Sequence, residues 1–377
     1  MKFFHLSDLH IGKRVHECSF LEDQREILNK ILSAADEEKP DGILLAGDIY
    51  DKSTPSAEAV QVFDYFLAEL VQREIPVYLI AGNHDSAERL AFGAKWMDQS
   101  RIYLSPVFDG EIRRIAMQDE YGIVNIYLLP FLRPSLVRHA YPEEAEKVLD
   151  YPSAVELALS HLKLDPSERH VLVAHQFVTG ARCCESEELQ VGTVDQIPVS
   201  LLEPFDYTAL GHIHSPQPVG NPYVRYCGSP LKYSFSEAGQ EKSITVVELF
   251  EKGNTLIRTI PLKPSRDMRK IRGTYLEISA REFYKDTNCK DYLQITLTDE
   301  EDVTDGLAKL RIIYPNLLRL EYDNRRTRLN TEIQGTDSPE QKTELELFQE
   351  FYELQNNQKM TGQQETYVRN LIQELKE

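Results

Sequence analysis

Five short polar clusters each follow an apolar run: Asp8-Leu9-His10, Gly47-Asp48, Gly82-Asn83-His84-Asp85, His175 and Gly211-His212-Ile213-His214. Together they offer imidazole, carboxylate and amide donors, a mixed nitrogen and oxygen set that suits divalent cations. Loops at the carboxyl ends of strands are where an open α/β sheet assembles such a site. In extended chain the i, i+2 spacing of Asp8 and His10, and again of His212 and His214, turns both side chains to one face. Glycine before Asp48, Asn83 and His212 permits a tight turn just as a strand ends. Taken singly, each cluster is an ordinary surface turn or a satisfied polar group of the core. Five recurrences at strand ends set them apart.

The elements that must position these clusters alternate in the first half of the chain. Phe3 to Leu6, Gly42 to Ala46 and Pro76 to Ala81 read as buried strands; Leu21 to Glu37, Ser56 to Gln72 and Ser86 to Gln99 read as the helices between them. That order predicts a largely parallel sheet covered by helices. From Glu111 strands dominate, with Gly122 to Leu129, His170 to His175, Tyr207 to Gly211 and Ile244 to Leu249, so a second sheet and a layered α/β sandwich are expected. Two prolines in Pro261-Leu262-Lys263-Pro264 mark a boundary. Beyond them strands at Ile271 to Ile278, Asp291 to Leu297 and Leu318 to Tyr322, with a helix over Val303 to Ile313, predict a small α+β unit.

Asp323 to Asp337 is polar and aperiodic, as a linker is. The tail then carries two helix starts, Ser338-Pro339-Glu340-Gln341 and Thr361-Gly362-Gln363-Gln364, each fitting a capping box. Leu347, Phe351 and Leu354 line the first helix; Val368, Leu371, Ile372 and Leu375 line the second. From Glu321 onward seven basic residues stand against twelve acidic ones, so this hairpin is no nucleic-acid arm. Two short helices share too little area to be stable alone, which favours a docking element over a pair that packs on itself or on its own domain.

Composition narrows the classes. The chain of 377 residues has length for two or three domains, and 41% hydrophobic residues supply their cores. No stretch approaches the ~18 apolar residues of a membrane span, and the first residues lack a signal-peptide pattern, so a cytoplasmic location is expected. Five cysteines, none in Cys-x-x-Cys, encode neither a disulfide framework nor a zinc knuckle, and Cys183-Cys184 reads as an ordinary exposed loop. A formal charge of −19 opposes diffuse binding of nucleic acid, so a polyanionic substrate has to be captured locally, by metal ions or a small basic patch.

The ordered donor set resembles the calcineurin-like metallophosphoesterases. Gly47-Asp48-Ile49-Tyr50-Asp51-Lys52-Ser53-Thr54-Pro55-Ser56, Gly82-Asn83-His84-Asp85-Ser86, Gly228-Ser229-Pro230 with Tyr233-Ser234-Phe235, and Asp291-Tyr292-Leu293 with Tyr314-Pro315-Asn316 look, more narrowly, like the SbcD family of nuclease subunits, over nearly the whole chain. The resemblance implies an α/β/β/α metallophosphoesterase sandwich over residues 1–262, an α+β capping domain over 265–322, a linker over 323–337 and, over 338–377, a helical hairpin that docks on an SbcC ATPase. It implies that Asp8, His10, Asp48 and His214 hold one metal and Asp48, Asn83, His175 and His212 a second, with two Mn ions favoured and Mg, Fe and Zn left open by the donor mixture.

Such a centre positions a water, lowers its pKa and neutralises a scissile phosphate. The leaving oxygen still needs a proton, for which His84 is the best placed general acid, with Asp85 either orienting it or serving a turn. Lys13, Arg14 and Arg89 are candidate DNA phosphate contacts. The activity implied is double-strand exonuclease and single-strand or hairpin endonuclease action in DNA end processing, repair and recombination, by a homodimer joined through helices around Ser56 to Gln72 and Ser86 to Gln99. No ATP site is expected on this chain, which has no Gly-x-x-x-x-Gly-Lys-Ser/Thr run. The alternative is a phosphodiesterase for a small substrate such as a cyclic nucleotide, which needs neither the extra domain nor the tail. An inactive scaffold would not keep the full donor set.

Overall fold

The computed structural model describes residues 1–105, 107–184, 187, 196–325, 327, 343–356 and 359–374. It divides into two compact units, Met1–Met268 and Arg269–Glu377.

Two six-stranded sheets make the first unit. In one, Lys2–Leu6, Gly42–Ala46, Val77–Ile80 and Ile102–Ser105 run parallel, while Ser243–Leu249 and Thr255–Pro261 extend it antiparallel beyond Lys2–Leu6. In the other, Gly122–Leu129, Arg169–His175, Tyr207–Gly211 and Asn221–Tyr226 run parallel, with Arg113–Asp119 and Gln217–Val219 antiparallel at the edges. The inner strands read as continuous apolar runs because both of their faces are covered. Phe3, Leu44, Ala46, Tyr78 and Ile80 of the first sheet pack against Val124, Ile126, Leu128, Val171, Val173 and Ala209 of the second. Ala154, Val155 and Leu157 of helix Tyr151–Ser160 cover the outer face of the second sheet, against Leu129, Leu172 and Ala174.

Helix Leu21–Glu38 buries Ile27, Leu28, Ile31, Leu32 and Ala35. Helix Ala57–Gln72 buries Val62, Phe63, Phe66, Leu67 and Leu70 and starts at Ser56, whose hydroxyl accepts from Ala59 N at 3.2 Å, a cap worth ~1 kcal/mol. The helix expected over Ser86 to Gln99 is instead two single turns, Ala87–Leu90 and Ala94–Met97, broken at Gly93, which takes φ +78°. The strands Ile102–Ser105, Arg113–Asp119, Asn221–Tyr226 and Thr255–Pro261 were not anticipated.

In the second unit Tyr292–Leu297 lies between Met268–Gly273 and Leu317–Tyr322 in a three-stranded sheet, and Gly306–Ile313 supplies Leu310 to a core of Ile271, Leu293, Ile295, Tyr314 and Leu317. The run Ile271 to Ile278, expected as one strand, splits. Thr274 and Glu277 form a capping box and begin the helix Tyr275–Ser279, a signal that the apolar spacing obscured.

Helix Glu344–Asn356 starts at a capping box of Thr343 and Glu346. Gly362–Glu374 starts at that of Thr361 and Gln364. Gln364 Nε2 donates to Tyr352 Oη at 2.9 Å between them, and Leu347, Phe351 and Leu371 remain exposed. Ser338 to Gln341 and most of the expected linker lie outside the described residues.

Candidate metal centre

All five clusters stand at the carboxyl ends of parallel strands, three from the first sheet and two from the second. The chain is not extended there. Asp8, His10, Asp48 and His212 take φ of +53°, +44°, +51° and +101°, a left-handed conformation costing about 1–2 kcal/mol per residue outside glycine. The i, i+2 pairs therefore converge through tight turns, not through strand alternation. The glycines serve closeness as much as turning. A Cβ on Gly82 would lie 2.1 Å from Asp48 Oδ1, and one on Gly211 1.9 Å from the Ala46 carbonyl oxygen.

The seven candidate ligands meet in one cluster. His10 Nε2 faces His214 Nε2 at 3.1 Å and Asp48 Oδ2 at 3.7 Å. His175 Nε2 lies 3.3 Å from Asp48 Oδ2 and 2.9 Å from Asn83 Oδ1, which His212 Nδ1 also approaches at 3.0 Å. The Asp8 carboxylate accepts from His212 N at 3.0 Å. The sets Asp8, His10 and His214; Asp8, Asp48 and His175; and His10, Asp48 and His84 each hold donor atoms within 4.8 Å of one another. Ring nitrogens and carboxylate oxygens turned on common points in a buried site are the donor set that a pair of divalent cations requires, and the residues present fit such a pair.

His175 and Asp48 are held from behind. His175 Nδ1 donates to the Ala46 carbonyl at 2.8 Å, which turns Nε2 to the cage. Asp48 Oδ1 accepts from His84 N at 2.9 Å. Burial works against the Asp48 charge, yet His175, His10 and His84 hold its carboxyl well below the usual range. Burial also pulls His175 down, but the Asp48 carboxylate outweighs it and carries the imidazole up to about 9. Burial dominates at His212, pushed down to about 3.

A family described as calcineurin-like phosphoesterase matches residues 1–216. A second, described as the type 5 capsule protein repressor C-terminal domain, matches residues 264–356. The chain is 32% identical to the D component of nuclease SbcCD from Staphylococcus epidermidis, over 99% of this chain and 98% of that one. The chain belongs to the SbcD family of calcineurin-like phosphoesterases. A second SbcD relative, from Staphylococcus saprophyticus, is 33% identical over 100% of this chain and 99% of its own. A solved dimetal phosphatase from Danio rerio aligns with 70% of this chain and 99% of its own at 12% identity, with a TM-score of 0.46.

The other candidate residues are placed differently. His84, half-buried, donates Nδ1–H to the Asp51 carbonyl at 3.1 Å, leaving Nε2 turned to Asp48 Oδ2 at 4.0 Å. Asp85 is not its orienting partner. Its carboxylate accepts from the backbone N–H groups of Gly82, Ile49 and Tyr50 at 2.9, 3.1 and 3.0 Å, tying two ligand loops together. Burial, then the Asp48 charge, lifts Asp85 to about 6. Lys13 pairs with Asp51 at 2.8 Å, whereas Arg14 bonds the Glu17 carbonyl and Arg89 lies in a surface groove with Tyr50 and Phe92. Cys183 and Cys184 are half-buried, not exposed, and burial pushes the Cys183 thiol up to about 11.

Sequence reasoning missed the supports: Gln24, whose Nε2 donates to the His10 carbonyl at 2.7 Å; Phe131, edge-on to His175; and the buried Glu237 and Lys242. The Tyr233-Ser234-Phe235 motif marked this last region without disclosing its role.

Proposed function

We propose that this chain is a metal-dependent phosphodiesterase that cuts DNA as the nuclease component of a complex with an SbcC-type ATPase. The convergence of all seven candidate ligands, from five loops and two sheets, carries the reading. Asp8, His10, Asp48 and His214 hold one divalent cation, Asp48, Asn83, His175 and His212 the other, with Mn the favoured metal. When bound, the pair neutralises the scissile phosphate and lowers the pKa of the attacking water. The Asp51 carbonyl fixes Nδ1–H of His84 and leaves Nε2 as the atom that passes a proton to the leaving oxygen. Asp85 keeps the loops bearing Asp48 and Asn83 in register.

Further parts of the reading rest on surface. The exposed apolar side chains of the helical hairpin, among them Phe351 at 58% and Tyr367 at 68% exposure, support docking on the ATPase. Phe92, in a groove with Val60 and Leu67 of helix Ala57–Gln72, and Trp96, 79% and 73% exposed, support a homodimer joined there. Lys13, Arg14 and Arg89 are proposed phosphate contacts.

Metal-dependent cleavage of a labelled DNA hairpin, run beside a chromogenic phosphodiester, tests the activity. Cleavage of both is expected; rapid turnover of the small ester with none of the hairpin would leave the cyclic-nucleotide alternative in place. Deleting residues 338–377 is expected to spare the small-ester activity and abolish co-purification with the ATPase. Undiminished association would remove the docking assignment.

A further inference from the structure

We propose that Glu237 is a positioning residue for His214: its carboxylate receives Nδ1–H of that imidazole, so that Nε2 stays bare and turned to the cage. The inference deepens the two-cation reading and rests on it. His214 presents Nε2 to His10 Nε2 at 3.1 Å and Nδ1 to Glu237 Oε1 at 3.6 Å, with side chains 2% and 0% exposed. At that separation the two groups stand in ion-pair range, beyond the length of a hydrogen bond. A histidine ligand needs its second nitrogen protonated and held, because that fixes tautomer and ring plane before the cation arrives.

A buried carboxylate is costly unless paired. Glu237 Oε2 accepts from Lys242 Nζ at 2.6 Å, and Oε1 accepts from Tyr233 N at 3.2 Å. Lys242 Nζ also reaches the carbonyl oxygen of His214 at 2.8 Å and Ser229 Oγ at 2.9 Å. Ser229 N donates to that same carbonyl at 3.2 Å. Gly228, at φ +77°, lies so close that a Cβ there would sit 2.5 Å from it. The Gly-Ser-Pro turn, Tyr233, Glu237 and Lys242 thus form one bracket around His214. Replacing a buried ion pair by hydrophobic residues of similar volume is often neutral or stabilising. The charges therefore call for another reason, and the face that Glu237 turns to His214 supplies one.

Calorimetric titration of Mn(II) into the metal-free full-length chain tests the inference, with folding checked by circular dichroism. The wild-type chain is expected to take up two ions. Glu237→Ala should weaken one of them about 10–100-fold and leave the other within about twofold. Glu237→Gln, whose side-chain carbonyl still accepts Nδ1–H, should recover most of the loss. Glu237→Gln combined with Lys242→Met leaves neither charge buried without its partner; because it also removes the Lys242 bond to the His214 carbonyl, it should bind no more tightly than Glu237→Gln alone and more tightly than Glu237→Ala. Unchanged binding in a folded alanine variant, equal weakening of both ions, or glutamine no better than alanine would each overturn the assignment. A wild-type chain that takes up no cation would overturn the two-cation reading itself, and this with it.

Discussion

The two halves of the cage are held by different means. Around His214 and His10 the supports include buried charges and side-chain hydrogen bonds from Glu237, Lys242 and Gln24, besides the Tyr233 ring. Around His175 and His212 they are main chain and rings: the Ala46 carbonyl, Phe131 edge-on at 6.2 Å, and Phe177 at 6.0 Å from His212. Topology explains the difference. His175 pairs with Gly211 across adjacent parallel strands, so sheet register alone sets His175 beside His212. His10 follows a strand of the first sheet, and His214 lies beyond the end of a strand of the second. No shared register joins them, and side chains have to staple what the backbone does not.

The proposed bridge, Asp48, tests whether the halves form one centre. Asp48→Ala is expected to abolish uptake of both ions and lower phosphodiester hydrolysis by more than about 10⁴-fold, beyond the loss of a general acid alone. An Asp48→Ala chain that kept one tight ion and most of its turnover would make the halves independent sites. His84→Ser should lower turnover by about 10²–10⁴-fold while both ions remain. If an ion were lost with the activity, His84 would be a ligand of the first half, as its grouping with His10 and Asp48 also permits.

The donors were legible in the sequence because their chemical types are rare together and because they follow apolar runs whose burial is unambiguous. Their supports were not. Glu237 lies in Phe-Ser-Glu-Ala-Gly-Gln-Glu-Lys, which reads locally as a solvated turn, and only tertiary packing brings its exposure to 0%. The strand Arg113–Asp119 was missed for a related reason. An edge strand with partly exposed Arg113, Arg114 and Asp119 carries no continuous apolar run. The helix expected over Ser86 to Gln99 failed where Gly93 overrode an acceptable helical spacing.

Acidity should weaken both halves, for burial pulls the His214 imidazole of the first down but Glu237 and Asp8 carry it above its ordinary range; the second half gives the sharper reading. In the metal-free chain His175 is carried up to about 9, so at neutral pH it holds a proton that a cation must displace. Affinity at that half is therefore expected to rise by about tenfold per pH unit toward about 9 and to level off above it. His212, pushed down to about 3, adds nothing in that range. Calorimetry at several pH values, in buffers of different ionisation enthalpy, counts the released proton. Affinity indifferent to pH between 7 and 9 would mean that His175 is neutral before metal arrives.

The smallest expected effect is the sharpest discriminator of the two kinds of support. Phe131 contributes a ring edge to His175, whose Nδ1 is already fixed by the Ala46 carbonyl. Phe131→Leu keeps an apolar body of similar reach and leaves that hydrogen bond untouched. Its cost should be confined to packing, within about 1.5 kcal/mol of stability, with metal affinity altered less than about threefold. Thermal melts and manganese titration of this one variant read both quantities. If affinity instead fell by tenfold or more, main-chain register would not suffice to aim His175, and the second half would depend on side-chain support as the first does.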